Sequence, residues 1–371
     1  MKKIIPVNTP LITKSDAMEV YKIVKSGWVS SAGSKILDFE EKLSKLVNRK
    51  FACCVSSGTA ALEIAVKSLN IKEGSEVITP AFSIISNTNA IIKNNLKPVL
   101  IDTDISTWNI NINDLEKKIN KKTKALMLPH IYGFTNDMDK ILKICKKNNL
   151  LLIEDAAEMI GQNYKNRPCG SFGDISIFSF YANKHITTGE GGAIFTNNKI
   201  IYEKCKNLRN LNFGKNNRFN HEGLSWNYRF TNMQAVLGLN QLKRIDKIIK
   251  KKREIGNYFY NNLKNNKNII IQKPSLNYCK NIYWIFGIII KNSNKKNIKK
   301  VKKKLLALGI ETRDFFWPMN KQNIYKKMDL FKGQNFPVAE YLANNGFYIP
   351  SGLGLKKSEM IKICKCVNKI L

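Results

Sequence analysis

Residues 51–69, "FACCVSSGTAALEIAVKSL", hold one complete strand–turn–helix unit. "FACCV" is a short apolar run of strand length, and "AALEIAVKSL" carries the apolar spacing of a helix. The small residues between them put Ser57, Gly58 and Thr59 at the helix start. There the backbone N–H groups and the Thr59 hydroxyl can hold a phosphate at the positive helix end, although the same residues would serve equally as a simple helix cap.

The pattern repeats on either side. "EVITP", "PVLID", "ALMLPH" and "LLLIEDA" read as strands, and "INDLEKKI" and "MDKILKICKK" as the helices between them. Such alternation predicts an α/β fold with a mostly parallel sheet. Helical periodicity then runs through residues 231–263, longer than an ordinary helix, and predicts a linker between two units. The expected organisation is a large domain over 1–245 and a smaller C-terminal α+β domain over 246–371. The latter has a strand at "YWIFGIII", a helix at "KKNIKKVKKKLLAL" and a closing helix from about Lys357.

Composition narrows the classes. The chain has 371 residues, 43% of them hydrophobic, enough for a sizeable core. No apolar run reaches the roughly 20 residues of a membrane helix, and "MKKIIPVNTP" lacks the apolar core of a signal peptide, so a cytoplasmic protein without a membrane partner is expected. The eight cysteines have neither zinc-site nor disulfide spacing, and there are three histidines; reduced thiols and no metal are expected. A formal charge of +34 raises a nucleic-acid reading. It is spread through lysine-, asparagine- and isoleucine-rich faces, with no helix-turn-helix, zinc-finger or RNA-binding pattern. No nucleic-acid partner is therefore expected, although such a field attracts small anions.

Two further motifs lie at strand ends, where open α/β sheets bind ligands. "LLLIEDAAE" brings Asp155 out at the end of an apolar strand, where a carboxylate needs a positive partner or good hydrogen bonds. In "SFYANKHITTGEGGAIF", residues 179–195, Lys184 stands between a strand and a glycine run that permits close approach of other segments. A lysine enclosed in this way is desolvated and more readily neutral and nucleophilic. Singly, Asp155 reads also as a helix cap and Lys184 as a surface residue. With the phosphate cradle they form the set that pyridoxal 5'-phosphate requires: a lysine for its aldehyde, an aspartate for its ring nitrogen and a helix end for its phosphate.

"SGWVSSAG", "SSGTAAL", "HIYGFTNDMD", "IEDAAE", "SFGDISIFSFYANKHITTGEGG", "NYRFTNMQAVLGLNQL", "GIETRDFFWPM" and "YIPSGLGL" together resemble the DegT/DnrJ family of pyridoxal-phosphate aminotransferases, in order from about residue 5 to the C-terminus. The resemblance implies a fold type I transferase working as a homodimer with shared active sites. It implies that Lys184 is the cofactor-bearing lysine, Asp155 the ring-nitrogen partner and Glu158 a neighbour of the ring hydroxyl. Ser57, Gly58, Thr59 and Ser179 would hold the phosphate, with Asn227 arriving from the other subunit. Trp28, Ser31, His185, Arg313, Phe316 and Trp317 would lie near the substrate. Where many relatives stack an aromatic ring on the cofactor, this chain has Ile84, with Phe82 out of register; aliphatic contact covers the ring but reshapes the pocket.

The activity implied is transfer of an amino group from L-glutamate to the ketone of a phosphate-bearing substrate. The leading choice is a nucleotide-linked 4-keto-6-deoxy sugar on the way to a surface polysaccharide. The alternatives are a small phosphorylated ketone such as dihydroxyacetone phosphate, a sugar dehydratase, and a regulatory or nucleic-acid-binding protein on an inactive aminotransferase fold. Retention of Lys184 speaks against the dehydratase, since some relatives that remove a hydroxyl have histidine in its place.

Overall fold

The structure is a computed structural model that describes residues 4–214 and 216–371. Chain order gives β1 (Phe51–Val55), β2 (Glu76–Pro80), β3 (Lys97–Ile101), β4 (Thr123–Pro129), β5 (Leu151–Asp155), a small hairpin of β6 (Asn163–Tyr164) and β7 (Arg167–Pro168), then β8 (Ile175–Ser179) and β9 (Gly192–Thr196). Seven of these form one sheet in the order β1-β9-β8-β5-β4-β2-β3. Its β2, β3, β4, β5 and β8 pair in parallel, and β9 runs antiparallel to both β1 and β8. The fold is thus α/β with a mostly parallel sheet.

The strands read as continuous apolar runs because both faces are covered: β8 and β9 are buried along their whole length. Helix Gly58–Ser68 packs on β8 and β9, and its small and branched residues Ala61, Ile64 and Ala65 are fully buried there. Parallel neighbours all present their C-terminal ends on one side, so the loops after β1, β2, β4, β5 and β8 meet over a single edge.

Residues 231–263 form two helices instead of one, Asn232–Leu242 and Ile245–Leu263. The break falls at Arg244, whose backbone is non-helical and whose guanidinium pairs with the fully buried Asp16. Satisfying that carboxylate fixes the turn, a contact that helical periodicity does not encode.

A second sheet follows, of β10 (Ile269–Ile270), β11 (Phe286–Ile290), β12 (Arg313–Asp314) and β13 (Gly346–Ile349), in the order β10-β11-β13-β12 with all pairs antiparallel. Trp284 and Phe315, which flank its strands, pack with Phe82, Trp108 and Tyr132. That cluster places the segment before β11 against the open edge of the main sheet. No helix among the described residues is long and apolar enough to cross a membrane.

Candidate active site

A cavity of about 380 Å³ opens over the strand ends, lined by residues from the loops after β1, β2, β4, β5 and β8, and by Trp284, Phe316 and Tyr348. Ser57, Gly58, Thr59, Ile84, Asp155, Glu158, Ser179, Lys184 and Phe316, all expected from sequence, meet on its wall.

At one end Ser57 is the N-cap of helix Gly58–Ser68, its hydroxyl accepting from the Ala60 N–H at 3.0 Å, with no acidic residue in the first turn. The remaining first-turn N–H groups point outward into the cavity end, and an anion suits them. The Thr59 and Ser86 hydroxyls lie 2.8 Å apart beside them. Gly58 is required by packing: a methyl group there would sit 2.9 Å from Ser179 Cβ.

At the other end Asp155 is 3% exposed. Its carboxylate accepts from Asn87 Nδ2 at 2.8 Å and from the Ala157 N–H at 3.0 Å. Burial holds this carboxyl above its usual range, opposed by those two hydrogen bonds and the Lys184 charge; a cation placed opposite it would favour the anion. Burial likewise pushes Glu158 up to about 8, against the attraction of Lys184 and the hydrogen bond from the Tyr132 N–H at 2.6 Å. Between the ends stands Lys184. Burial holds its ammonium below the usual range, partly offset by Glu158 and then Asp155. Ile84 begins helix Ile85–Ile92 and turns its side chain to the cavity, while Phe82 is fully buried against Tyr132, Phe315 and Phe316.

Five of the expected residues stand off the cavity wall, and a sixth is turned away from it. His185 is buried, its Nε2 3.3 Å from the Ile282 carbonyl, and burial lowers its pKa to about 3, so the ring is neutral and faces the core. Its neighbour Lys184 lies on the cavity wall. Arg313 is exposed on β12, opposite the cavity residue Tyr348. Trp317 donates its indole N–H to the Lys321 carbonyl at 3.2 Å and lies under the Lys295 ammonium. Trp28 is 63% exposed. Ser31 lines a separate small pocket with Arg209, Asn210 and Arg229, and Asn227 is exposed, bridged to Asn210.

Sequence reasoning missed Asn87, His130, Trp284 and Tyr348. Asn87 lies one helical turn beyond Ile84, so its direction was legible once Asp155 was chosen. His130 joins the cavity wall to a buried network. Its Nε2 lies 3.3 Å from Glu154 Oε1, and its Nδ1 accepts from the Asn136 N–H at 3.1 Å. Glu154 also accepts from the N–H groups of Gly170, Phe172 and Gly173 and from Ser176 Oγ. Burial, which raises this carboxyl, is outweighed by those bonds, and it is held below its usual range. Cys169 approaches the same pair, but the carboxylate oxygens already serve as acceptors for this network, so the trio anchors the turn before β8.

Such a cavity suits a ligand that is anionic at one end, able to carry a positive charge at the other and electrophilic in between. Pyridoxal phosphate meets all three demands, and the methyl-free cradle at Gly58 and the buried Asp155 fit it. The class so defined is the pyridoxal-phosphate-dependent aminotransferases. Within it, the chain belongs to the DegT/DnrJ/EryC1/StrS aminotransferase family, whose model matches residues 10–368. It is 37% identical over 367 residues to GDP-perosamine synthase of Escherichia coli O157:H7, covering 99% of this chain and 98% of that one. It is 31% identical over 338 residues to the UDP-4-amino-4,6-dideoxy-N-acetyl-beta-L-altrosamine transaminase of Campylobacter jejuni, covering 89% of each. Among solved structures it is similar to a Helicobacter pylori aminotransferase involved in the biosynthesis of pseudoaminic acid, with a TM-score of 0.94 and 27% identity over 99% of both chains.

Proposed function

We propose that this enzyme moves the amino group of L-glutamate to the keto carbon of a nucleotide-linked 4-keto-6-deoxy sugar destined for a surface polysaccharide. The observation that carries the reading is the meeting of Lys184, Asp155 and the Gly58 cradle around one cavity. The names of the relatives, a GDP-perosamine synthase and a 4-amino-4,6-dideoxy sugar transaminase, support the substrate class.

Bound pyridoxal phosphate supplies an aldehyde that accepts amines and a ring that takes up electrons. The helix N-terminus, Thr59 and Ser179 would hold its phosphate, Asp155 its ring nitrogen and Glu158 its hydroxyl, with Ile84 covering the ring. Asn87 and the Ala157 N–H orient Asp155. Lys184 Nζ, made a stronger nucleophile by desolvation, would accept a proton from the α-carbon of the amino donor, hold it and release it to the carbon on the other side of the nitrogen, two atoms away. With the ketone it makes the same transfers in reverse. The apolar wall of Ile84, Trp284 and Phe316 excludes water, which keeps the proton on Lys184 until it is delivered.

The reading includes a homodimer, in which a second copy of the chain brings Asn227 to the phosphate end and Trp28 and Ser31 to the cavity mouth. All three lie on the outside of the single chain. It also includes a unit boundary at residue 245, with 1–245 binding the cofactor.

The test is a half-reaction screen. The loaded enzyme is converted to its amino form with L-glutamate and freed of donor, and ketones are added singly while the cofactor absorbance is followed. Return with a nucleotide-linked 4-keto sugar, and not with dihydroxyacetone phosphate, is the expected result. Return with the small phosphoketone alone overturns the substrate class, and no conversion with any amino donor overturns the activity.

A further inference from the structure

Lys184 Nζ lies 3.8 Å from the centroid of the Trp284 ring, and the Trp284 indole N–H donates to the carbonyl of Asn183 at 3.2 Å. One side chain is thus joined to the lysine twice, through its amine and through the backbone of the preceding residue. The indole is itself held, being 6% exposed and packed on Tyr132 at 5.8 Å and Phe316 at 6.4 Å between ring centroids. It comes from the segment before β11, so the second sheet reaches across to the lysine of the first.

We propose that Trp284 is a positioning residue for Lys184, holding its ammonium over the ring face whenever the amine is free, so that the proton it carries stays between the two carbons it serves. The proposal rests on the aminotransferase reading above. An ammonium is attracted to an aromatic face by the ring quadrupole, and tryptophan is the strongest of the aromatic residues in this respect. Each catalytic turn frees Lys184 and leaves it a cation after it has taken a proton. A flexible four-carbon stem would then be drawn to the carboxylates. Asp155 and Glu158 face the amine from the end of β5, and the cavity wall adds Glu190, Tyr181 and Tyr348. His185, beside it in the chain, is neutral. The ring holds the cation without hydrogen-bonding its protons, which remain available for transfer. A carboxylate would bind them.

The contact favours the charged amine, so removing the ring lowers the pH at which free Lys184 becomes nucleophilic. The experiment uses the full chain stripped of cofactor. The rate of pyridoxal phosphate capture is followed against pH for the wild type, Trp284→Phe and Trp284→Leu, with near-ultraviolet circular dichroism to verify the fold. Titrations of free pyridoxal phosphate are common to all three and cancel in the comparison. The midpoint is expected to fall by about 0.5–1.5 pH units in Trp284→Leu and by less in Trp284→Phe. If Trp284→Leu does not fold, Trp284→Phe decides alone. An unchanged or higher midpoint in folded Trp284→Phe overturns the proposal, because the indole would then act only as an apolar cover. Capture with the expected shift, but no L-glutamate half-reaction in the wild type, would overturn the aminotransferase reading and leave the contact standing.

Discussion

Replacing Glu158 by glutamine removes one ionisable proton from the centre of the cavity and nothing else of comparable size. The Glu158 carboxyl is buried and raised from 4.5 to about 8. In the unfolded chain it ionises near its ordinary value, so between these limits the folded chain binds the extra proton. Stability contributed by that proton is fully present below pH 4.5 and is lost progressively as pH rises towards 8, after which the loss is level. At roughly 1.4 kcal/mol per unit the loss totals about 4–5 kcal/mol, of which about 3 kcal/mol falls between pH 6 and pH 9. Glutamine keeps an oxygen for the Tyr132 N–H and does not titrate. Asp155 and Lys184 titrate in both proteins, and Lys184 loses the attraction of Glu158 in the variant, so the difference between them reads position 158 together with its coupling to Lys184. Urea unfolding of the cofactor-free chain at pH 6 and pH 9 should show the variant gaining about 3 kcal/mol on the wild type at the higher pH. Parallel stabilities at the two pH values would refute the argument, since they would mean that Glu158 is already ionised in the folded chain.

Three more outcomes follow from the same geometry. Gly58→Ala places a methyl group 2.9 Å from Ser179 Cβ; it should cost about 1–3 kcal/mol of stability and weaken cofactor retention, and the double variant Gly58→Ala/Ser179→Gly should recover the stability on thermal melting but not the cofactor titration, because it also removes the Ser179 hydroxyl. Asn87→Ala strips the Nδ2 donor from buried Asp155 and should weaken cofactor binding by about 1–3 kcal/mol, read by equilibrium dialysis. Lys184→Ala should leave a folded chain that takes up cofactor without covalent attachment, and should slow the L-glutamate half-reaction by at least about 10²–10⁴-fold; single-turnover absorbance measures it.

Much of the site was legible because it sits on local signals. Ser57, Gly58 and Thr59 follow a strand and open a helix, Asp155 ends a strand, and Lys184 adjoins a glycine run; each is a statement about neighbours in the chain. Two differences between expectation and structure share a cause. The helix over 231–263 has unbroken periodicity, and its break at Arg244 depends on Asp16, 228 positions away. His185 is a polar residue beside Lys184, and only its approach to the Ile282 carbonyl at 3.3 Å shows that it faces the core.

The sequence by itself determined the parallel sheet and the cavity wall of Ser57, Asp155 and Lys184, because apolar period, turn chemistry and strand-end carboxylates act over a few residues. Tertiary structure alone decided what closes the other side. Trp284 meets Asn183 across 101 positions, Phe316 meets Tyr132 across 184, and Tyr348 joins them from β13. No local rule links such residues. They come together because an apolar aromatic cluster is buried only when the second sheet lies against the open edge of the first, and that docking sets the surroundings of Lys184.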